Sequence, residues 1–582
     1  MTRTTTAAPA YCAGRSFPAP PLLAQAVGAP PQGADATAEL ATFIAEQPLD
    51  DTGLLTRARD LIDWLPLLEL SNSSRHPDEF DIPDAPYVLV LDQPATLDPS
   101  TTEADLREVL VFARTETYAP KVVVLTAEDG LLSAQEGDAD VTFLPPTANP
   151  YRLFSGATAV FAHGAAEGFD ALLAGHRPRV FGRPWYHGWG LTADENADPT
   201  RSRNLTRAQL AAAALILWPQ WHDAKGAPVE AEMVLAHVEA QLRAVRADAR
   251  GYVASGILPW KRRFMRAYFG ANGLVFSNDP DVIENERALG RRHIHWGPTE
   301  GDALRLEDGF LRSKGLGAAL VRPVSLVMDD LGLYFDPTRP SRLESLIAAR
   351  AEMPPHAEAR ITRLIARLTD ARLSKYNVRA GRPDLPEGYR VLVAGQVEDD
   401  ASIRLGAGDI CTNDALLTAA RAAHPEAVLI YKPHPDVEAG LRAGRLPNAD
   451  QIADVVARDA DPIALVEACD AVWTMTSQLG FEALLRGKPV TCTGAPFYAG
   501  WGLTTDLGAV PARRGARVSL LGLAHAALID YPRYVDPASG APLSPEEAVD
   551  LLERARATRS PLAQWGLARL RWMRAYLLGL AK

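Results

Sequence analysis

The sequence predicts an α/β protein carrying two copies of one module, and three observations lead there. Short β-branched runs alternate with Ala/Leu-rich stretches; a 25-residue segment occurs twice; and 582 residues exceed what one hydrophobic core can serve.

The β-branched runs VLVA, AVLIY, AVWTM and KPVTC each end in polar or Gly-rich residues, the pattern of buried parallel strands joined by helices. In such sheets ligands bind beyond the carboxyl ends of the strands, so chemistry is expected just after each run. The duplication is read from Gly168 to Thr192, GFDALLAGHRPRVFGRPWYHGWGLT, against Gly480 to Thr504, GFEALLRGKPVTCTGAPFYAGWGLT, ungapped and more than half identical. VLVLDQ at Val88 to Gln93 repeats as VLVAGQ at Val391 to Gln396, and MRAY at Met265 recurs at Met573, giving a repeat near 310 residues. About 130 residues separate Trp260 from Val391, but only about 87 precede Val88, so the first copy is expected to be truncated at its leading lobe.

The expected division is a flexible Ala/Pro/Thr-rich arm over 1–36, a shortened, degenerate module over 37–258, and a full module over 259–582 with a donor-binding lobe at about 388–560. The segments WKRRFMRAYF and LARLRWMRAYLLG read as amphipathic helices that either pack on their own modules or rest on a headgroup surface.

Composition narrows the function. With 47% hydrophobic and 23% charged residues the chain has ordinary globular usage, and a net charge of -12 argues against nucleic acid as a partner. Cys12, Cys411, Cys469 and Cys492 have no metal-site spacing and fit a reducing, cytoplasmic compartment. No run reaches the roughly 18 apolar residues of a spanning helix, so any membrane contact is expected to be peripheral.

Four strand-end or loop motifs carry the candidate chemistry. GQVEDDASI presents Gln396, Glu398, Asp399 and Asp400, which alone read equally as a solvated acidic turn. KPHPD offers Lys432 and His434 on a backbone stiffened by two prolines, a pairing suited to phosphate. Thr476, Ser477 and Gln478 begin a helix, where an N-cap is the plain reading and anion binding the functional one. RLEDGFLRS sets Glu307 and Asp308 before a glycine and near Arg312, so that a partly desolvated acid can serve as general acid or base. The loop MDDLGLYFDPTRPSRLE, with Asp329, Asp330, Tyr334, Asp336 and Arg339, follows.

The first copy lacks these groups. Aligning its strands puts Thr126 and Glu128 where the second copy has Lys432 and His434, and the ungapped repeat puts Ala165 and Ala166 at Ser477 and Gln478. One working site is expected, in the second copy; an independent reading gives the first copy a different ligand held by Asp92, Gln93 and His163.

Together, RLEDGFLRS, DDLGLYFDPTRPSRLE, GQVEDDASI, YKPHPD, SQLGFEALLRGKPV and FYAGWGLT resemble, in the same order, the KpsC-type capsule polysaccharide β-Kdo transferases. The resemblance implies tandem GT-B-like modules built from Rossmann-type lobes, CMP-Kdo as donor, a lipid-linked Kdo acceptor at the cytoplasmic face, and capsule assembly proteins as partners. It also implies retention by double displacement, with Asp399 or Asp400 as nucleophile, Glu307 as acid/base and Asp308 assisting. Lys432, His434, Thr476, Ser477, Gln478 and Gln396 would hold the nucleotide sugar, with no metal or other cofactor. The first module departs from the family pattern, having no EDG loop, no KPHPD and no SQ pair, although its Asp92-Gln93 matches the DQ pair of family first modules. Two alternatives stay open: a transferase for another CMP-linked acid such as a sialic acid, and a non-catalytic scaffold that binds the lipid-linked glycan.

Overall fold

The computed structural model describes residues 11–13, 36–69, 81–116, 121–135, 138–223, 225–313, 321–375, 377, 381, 384–438, 440 and 442–557. Most of the N-terminal arm and the segment LARLRWMRAYLLG lie outside the described residues. Tyr11–Ala13, within the expected arm, pairs antiparallel with Gln220–His222. The chain divides into Met1–Ala249 and Arg250–Lys582, and the strand Tyr252–Ser255 belongs to the second unit, so the division falls before the expected 258/259.

The first unit is built on a six-stranded, all-parallel sheet in the order Val141–Leu144, Val122–Leu125, Tyr87–Leu91, Ala157–Ala162, Arg179–Val180, Ala193–Asp194. Tyr87–Leu91 and Val122–Leu125 are buried throughout, as unbroken apolar runs require when helices cover both faces.

The second unit holds two sheets. Its parallel sheet runs Val455–Val456, Val428–Lys432, Arg390–Ala394, Ala471–Thr474, Val490–Cys492, Thr505–Asp506, the same order position by position as in the first unit. Its mixed sheet runs Leu274–Phe276, Tyr252–Ser255, Arg292–Trp296, Leu304–Asp308, Ser325–Asp329, Pro532–Val535, Pro542–Leu543; the first four strands are parallel and the rest antiparallel. The helix Arg262–Phe269 lays Phe264, Met265, Tyr268 and Phe269 into the core beside this sheet, and Arg262 and Arg266 stand 5.4 and 5.2 Å from the Phe276 ring centroid. Self-packing, one of the two readings of WKRRFMRAYF, accounts for its apolar face. Among the described residues no helix is long and apolar enough to cross a membrane.

Strand pairing corrects one alignment. Leu91 lies opposite Leu125 and Ala394 opposite Lys432, so Lys432 corresponds to Leu125 and His434 to Ala127, one residue earlier than Thr126 and Glu128. The hydrogen-bond ladder, not the end of the apolar run, sets the register.

The repeated segment does the same structural work in both units. Tyr186 Oη donates to Ala165 O at 2.7 Å and Tyr498 Oη to Ser477 O at 2.5 Å; Trp189 Nε1 donates to Trp185 O at 2.9 Å and Trp501 Nε1 to Phe497 O at 2.8 Å. A Cβ on Gly168 or Gly480 would come within 2.0 or 2.2 Å of the tyrosine hydroxyl, which explains the glycine in each copy.

Candidate active site

Glu307 and Asp308 end the fourth parallel strand of the mixed sheet. Asp308 Oδ2 accepts from Arg312 Nε at 2.5 Å, and Arg312, 3% exposed, also donates to Ser313 Oγ at 2.9 Å. The other carboxylate oxygen, Asp308 Oδ1, is buried and has no hydrogen-bond partner among the described residues. Most such atoms in folded proteins are paired, so an orphan one beside a charged cluster is a candidate ligand position. Glu307 Oε1 accepts from the Asp308 backbone N–H at 2.9 Å. Burial, and then the Asp308 charge, push its carboxyl up to about 7, with Lys261 and Lys375 opposing. An acid poised there exchanges protons near neutral pH.

The loop after Asp329 buttresses this pair. Asp329 is wholly buried and accepts from the backbone N–H groups of Leu331, Gly332 and Arg342 and from Tyr531 Oη, while Tyr334 Oη donates to Asp308 O at 3.3 Å. Asp330 pairs with Arg342 and Asp336 with Arg339, at the surface side of the loop.

The parallel sheet contributes His434 and Gln478. Gln478 Nε2 donates to Phe310 O at 2.7 Å, joining the start of its helix to the Glu307–Asp308 loop. The backbone N–H groups of Arg312 and Ser313 both donate to Lys375 O, at 3.2 and 3.1 Å, in the chain that leads from the mixed to the parallel sheet. Lys375 acts electrostatically on both Glu307 and His434, so the two motifs share one electrostatic environment. His434 Nδ1 accepts from the Asp436 N–H at 3.1 Å, which leaves the proton of the neutral ring on Nε2. Burial lowers the pKa of His434, against the opposing pull of Asp436 and Asp400. Near neutral pH the ring is an uncharged donor.

The remaining predicted residues are engaged in contacts within the fold. Asp399, 59% exposed, pairs with Arg442 at 2.9 Å. Asp400 caps the helix Ala401–Gly406 by accepting from Ser402 N and Oγ at 3.1 and 2.7 Å. Lys432, 5% exposed, donates to Glu438 Oε2 at 2.7 Å and to Pro433 O at 3.1 Å. Gln396 accepts from Thr476 N and Thr474 Oγ1 and donates to Thr476 Oγ1, tying two strand ends together. Ser477 Oγ accepts from Leu479 N at 3.2 Å as an N-cap. In the first unit Asp92 likewise accepts from the backbone of Ala127, Leu131 and Leu132.

Sequence reasoning missed Lys261, Lys375 and Trp296. Lys261 was absorbed into an amphipathic helix, Lys375 follows no strand, and Trp296 gives no signal beyond an apolar strand end. Lys261 Nζ stands 3.1 Å from the Trp296 ring centroid, and burial lowers its ammonium to about 8 against the pull of Asp308 and Glu307.

The sequence matches the family described as "Capsule polysaccharide biosynthesis protein" over 127–218, 300–380 and 356–534, more than half of the chain. It is 35% identical over 457 residues to "Capsule polysaccharide modification protein LipA" of Neisseria meningitidis serogroup B, covering 74% of this chain and 65% of that protein. It is 40% identical over 320 residues to "Lipopolysaccharide-processing protein LpsZ" of Rhizobium meliloti, covering 50% of this chain and 72% of that protein. Among solved structures it is similar to Thermosulfurimonas dismutans KpsC, described as a beta Kdo 2,7 transferase, with 35% identity over 53% of this chain and 99% of that one, at a TM-score of 0.44. On the extent of the family match and of the LpsZ alignment, the chain belongs to the capsule polysaccharide biosynthesis protein family.

Proposed function

We propose that residues 250–557 form a retaining Kdo transferase that takes Kdo from CMP-Kdo and places it on a lipid-linked Kdo acceptor during capsule synthesis. Family membership and the motif set support capsule chemistry, and the Glu307–Asp308 pair carries the enzymatic reading. The two sheets of this unit fit a GT-B-like pair of Rossmann-type lobes. The common strand order of the two parallel sheets supports a tandem duplication. In this reading the first module supports the acceptor or a capsule assembly protein, and the enzyme works in the cytoplasm, peripheral to the membrane that holds its acceptor.

The geometry favours Asp308 over Asp399 and Asp400 as nucleophile, because Asp308 Oδ1 is buried and unpaired among the described residues, Asp399 is in an exposed ion pair and Asp400 is a helix cap. Asp308 attacks the anomeric carbon as the bond to the CMP phosphate breaks, and CMP departs as an anion. His434 Nε2–H offers a donor to that developing charge, and the Lys375 ammonium adds its positive field. The acceptor hydroxyl then gives its proton to Glu307 and displaces Asp308, so two inversions restore the starting hand.

The test is incubation with CMP-Kdo and synthetic lipid-like acceptors carrying one or two Kdo residues, read by mass spectrometry. Addition of one Kdo mass supports the proposal; CMP binding without product points to another CMP-linked acid, and no CMP binding points to a scaffold.

A further inference from the structure

Two groups at the Glu307–Asp308 pair have no hydrogen-bond or ion-pair partner among the described residues. Asp308 Oδ1 is one. The other is the Lys261 ammonium, which makes no hydrogen bond or ion pair with the described residues and rests instead on indole faces, 3.1 Å from the Trp296 centroid and 5.5 Å from that of Trp260. Trp296 lies opposite Leu306 in the sheet, directly before Glu307, so the strand that carries the acids also fixes the place of the lysine's aromatic seat. The charged groups acting on Lys261 are Asp308, Glu307 and Arg312. Arg312 is engaged by Asp308 and Ser313.

A half-buried cation held in the field of two carboxylates, yet paired with neither, leaves its donors for a ligand. The chemistry of the proposed donor specifies which ligand group that is. In a 2-keto sugar acid the carboxylate is bonded directly to the anomeric carbon. Bringing that carbon to Asp308 brings a second negative charge to the same place, where Glu307 already stands. Without a cation the ground state is repelled; with one, the sugar is both admitted and oriented.

Resting on the transferase reading, we propose that Lys261, seated on Trp296, binds the carboxylate of the donor sugar and so selects ulosonic acids over neutral sugars. The pair formed is a charge-assisted hydrogen bond from Nζ to the carboxylate, beside Asp308 Oδ1 at the anomeric carbon. Burial already lowers the ammonium toward about 8, so the lysine is charged at neutral pH and loses its grip in mild alkali.

The experiment measures calorimetric binding of CMP-Kdo and of CMP to the full chain and to its Lys261→Gln and Lys261→Arg variants. Lys261→Gln is expected to weaken CMP-Kdo by roughly tenfold or more while leaving CMP within about twofold, and Lys261→Arg to recover most of the loss. Equal weakening of both ligands, or no change in either, overturns the assignment. A parent protein that binds CMP but not CMP-Kdo overturns the Kdo-transferase reading itself, which separates the two failures. Should Lys261→Gln not fold, the parent's CMP-Kdo affinity against pH decides: it falls through about pH 8 while CMP affinity holds level, and a level CMP-Kdo profile refutes the proposal.

Discussion

Gln396 grips Thr476 from both ends of its amide, accepting from the backbone N–H at 2.9 Å and donating to Oγ1 at 3.0 Å. In the first unit Gln93 accepts from the N–H of Gly164 at 2.7 Å, but glycine has no hydroxyl, and Gln93 Nε2 is left buried without a partner among the described residues. The brace persists in both copies, and its side-chain half is missing from one. Thr476→Val should recreate that orphan in the second unit at a cost of about 1 to 3 kcal/mol, measured by urea unfolding, without eliminating CMP binding.

Lys432 and Glu438 form a buried pair, 6% and 16% exposed in their side chains, so the lysine is expected to support the fold before it supports a phosphate. Lys432→Met strands the glutamate and should lower stability by about 3 kcal/mol or more, while Lys432→Met with Glu438→Gln recovers most of it. Thermal unfolding measures both. If the double variant is stable but binds CMP no better than His434→Ala does, Lys432 belongs to the phosphate site after all.

Glu482, 8% exposed, accepts from the Lys375 N–H at 2.8 Å, and burial raises its carboxyl to about 7. A raised value means that the contribution to stability is full below the ordinary carboxylate range and is lost as pH rises through about 7. Glu482→Gln keeps the acceptor oxygen and cannot ionise. It should therefore melt above the parent at pH 8, by at most about 3 kcal/mol, with the advantage gone in the acid range.

Glu307, raised to about 7, must be ionised to take the acceptor's proton, so the transfer rate at saturating donor should rise with pH through about 7. Glu307→Gln should remove that limb and lower the rate by about a hundredfold or more. A limb unchanged in Glu307→Gln would assign it to another group.

Much of this was legible in the chain. The α/β alternation fixed the sheet class, because buried parallel strands must be apolar throughout, as Val391, Leu392 and Val393 are. The strand-end rule pointed to His434, and two adjacent acids before a glycine pointed to Glu307 and Asp308. The strand-end rule pointed equally to Asp399, Asp400 and Lys432, which the fold holds in ion pairs or a cap, because sequence position does not show which contacts a side chain makes. The register error at Thr126 has a similar cause: hydrogen-bond pairing is not written in an apolar run. Lys261 and Lys375 escaped because their importance lies in what they approach, Trp296 and Glu307 from distant parts of the chain.

The decisive measurement is to trap the intermediate. Glu307→Gln should form the bond to Kdo and then release it slowly, so brief incubation with CMP-Kdo followed by acid quench and peptide mass spectrometry should find one Kdo mass on the peptide containing Asp308, absent in Asp308→Asn. An adduct on the peptide containing Asp399 and Asp400, or an Asp308→Asn variant that still transfers Kdo at the parent rate, would contradict the account.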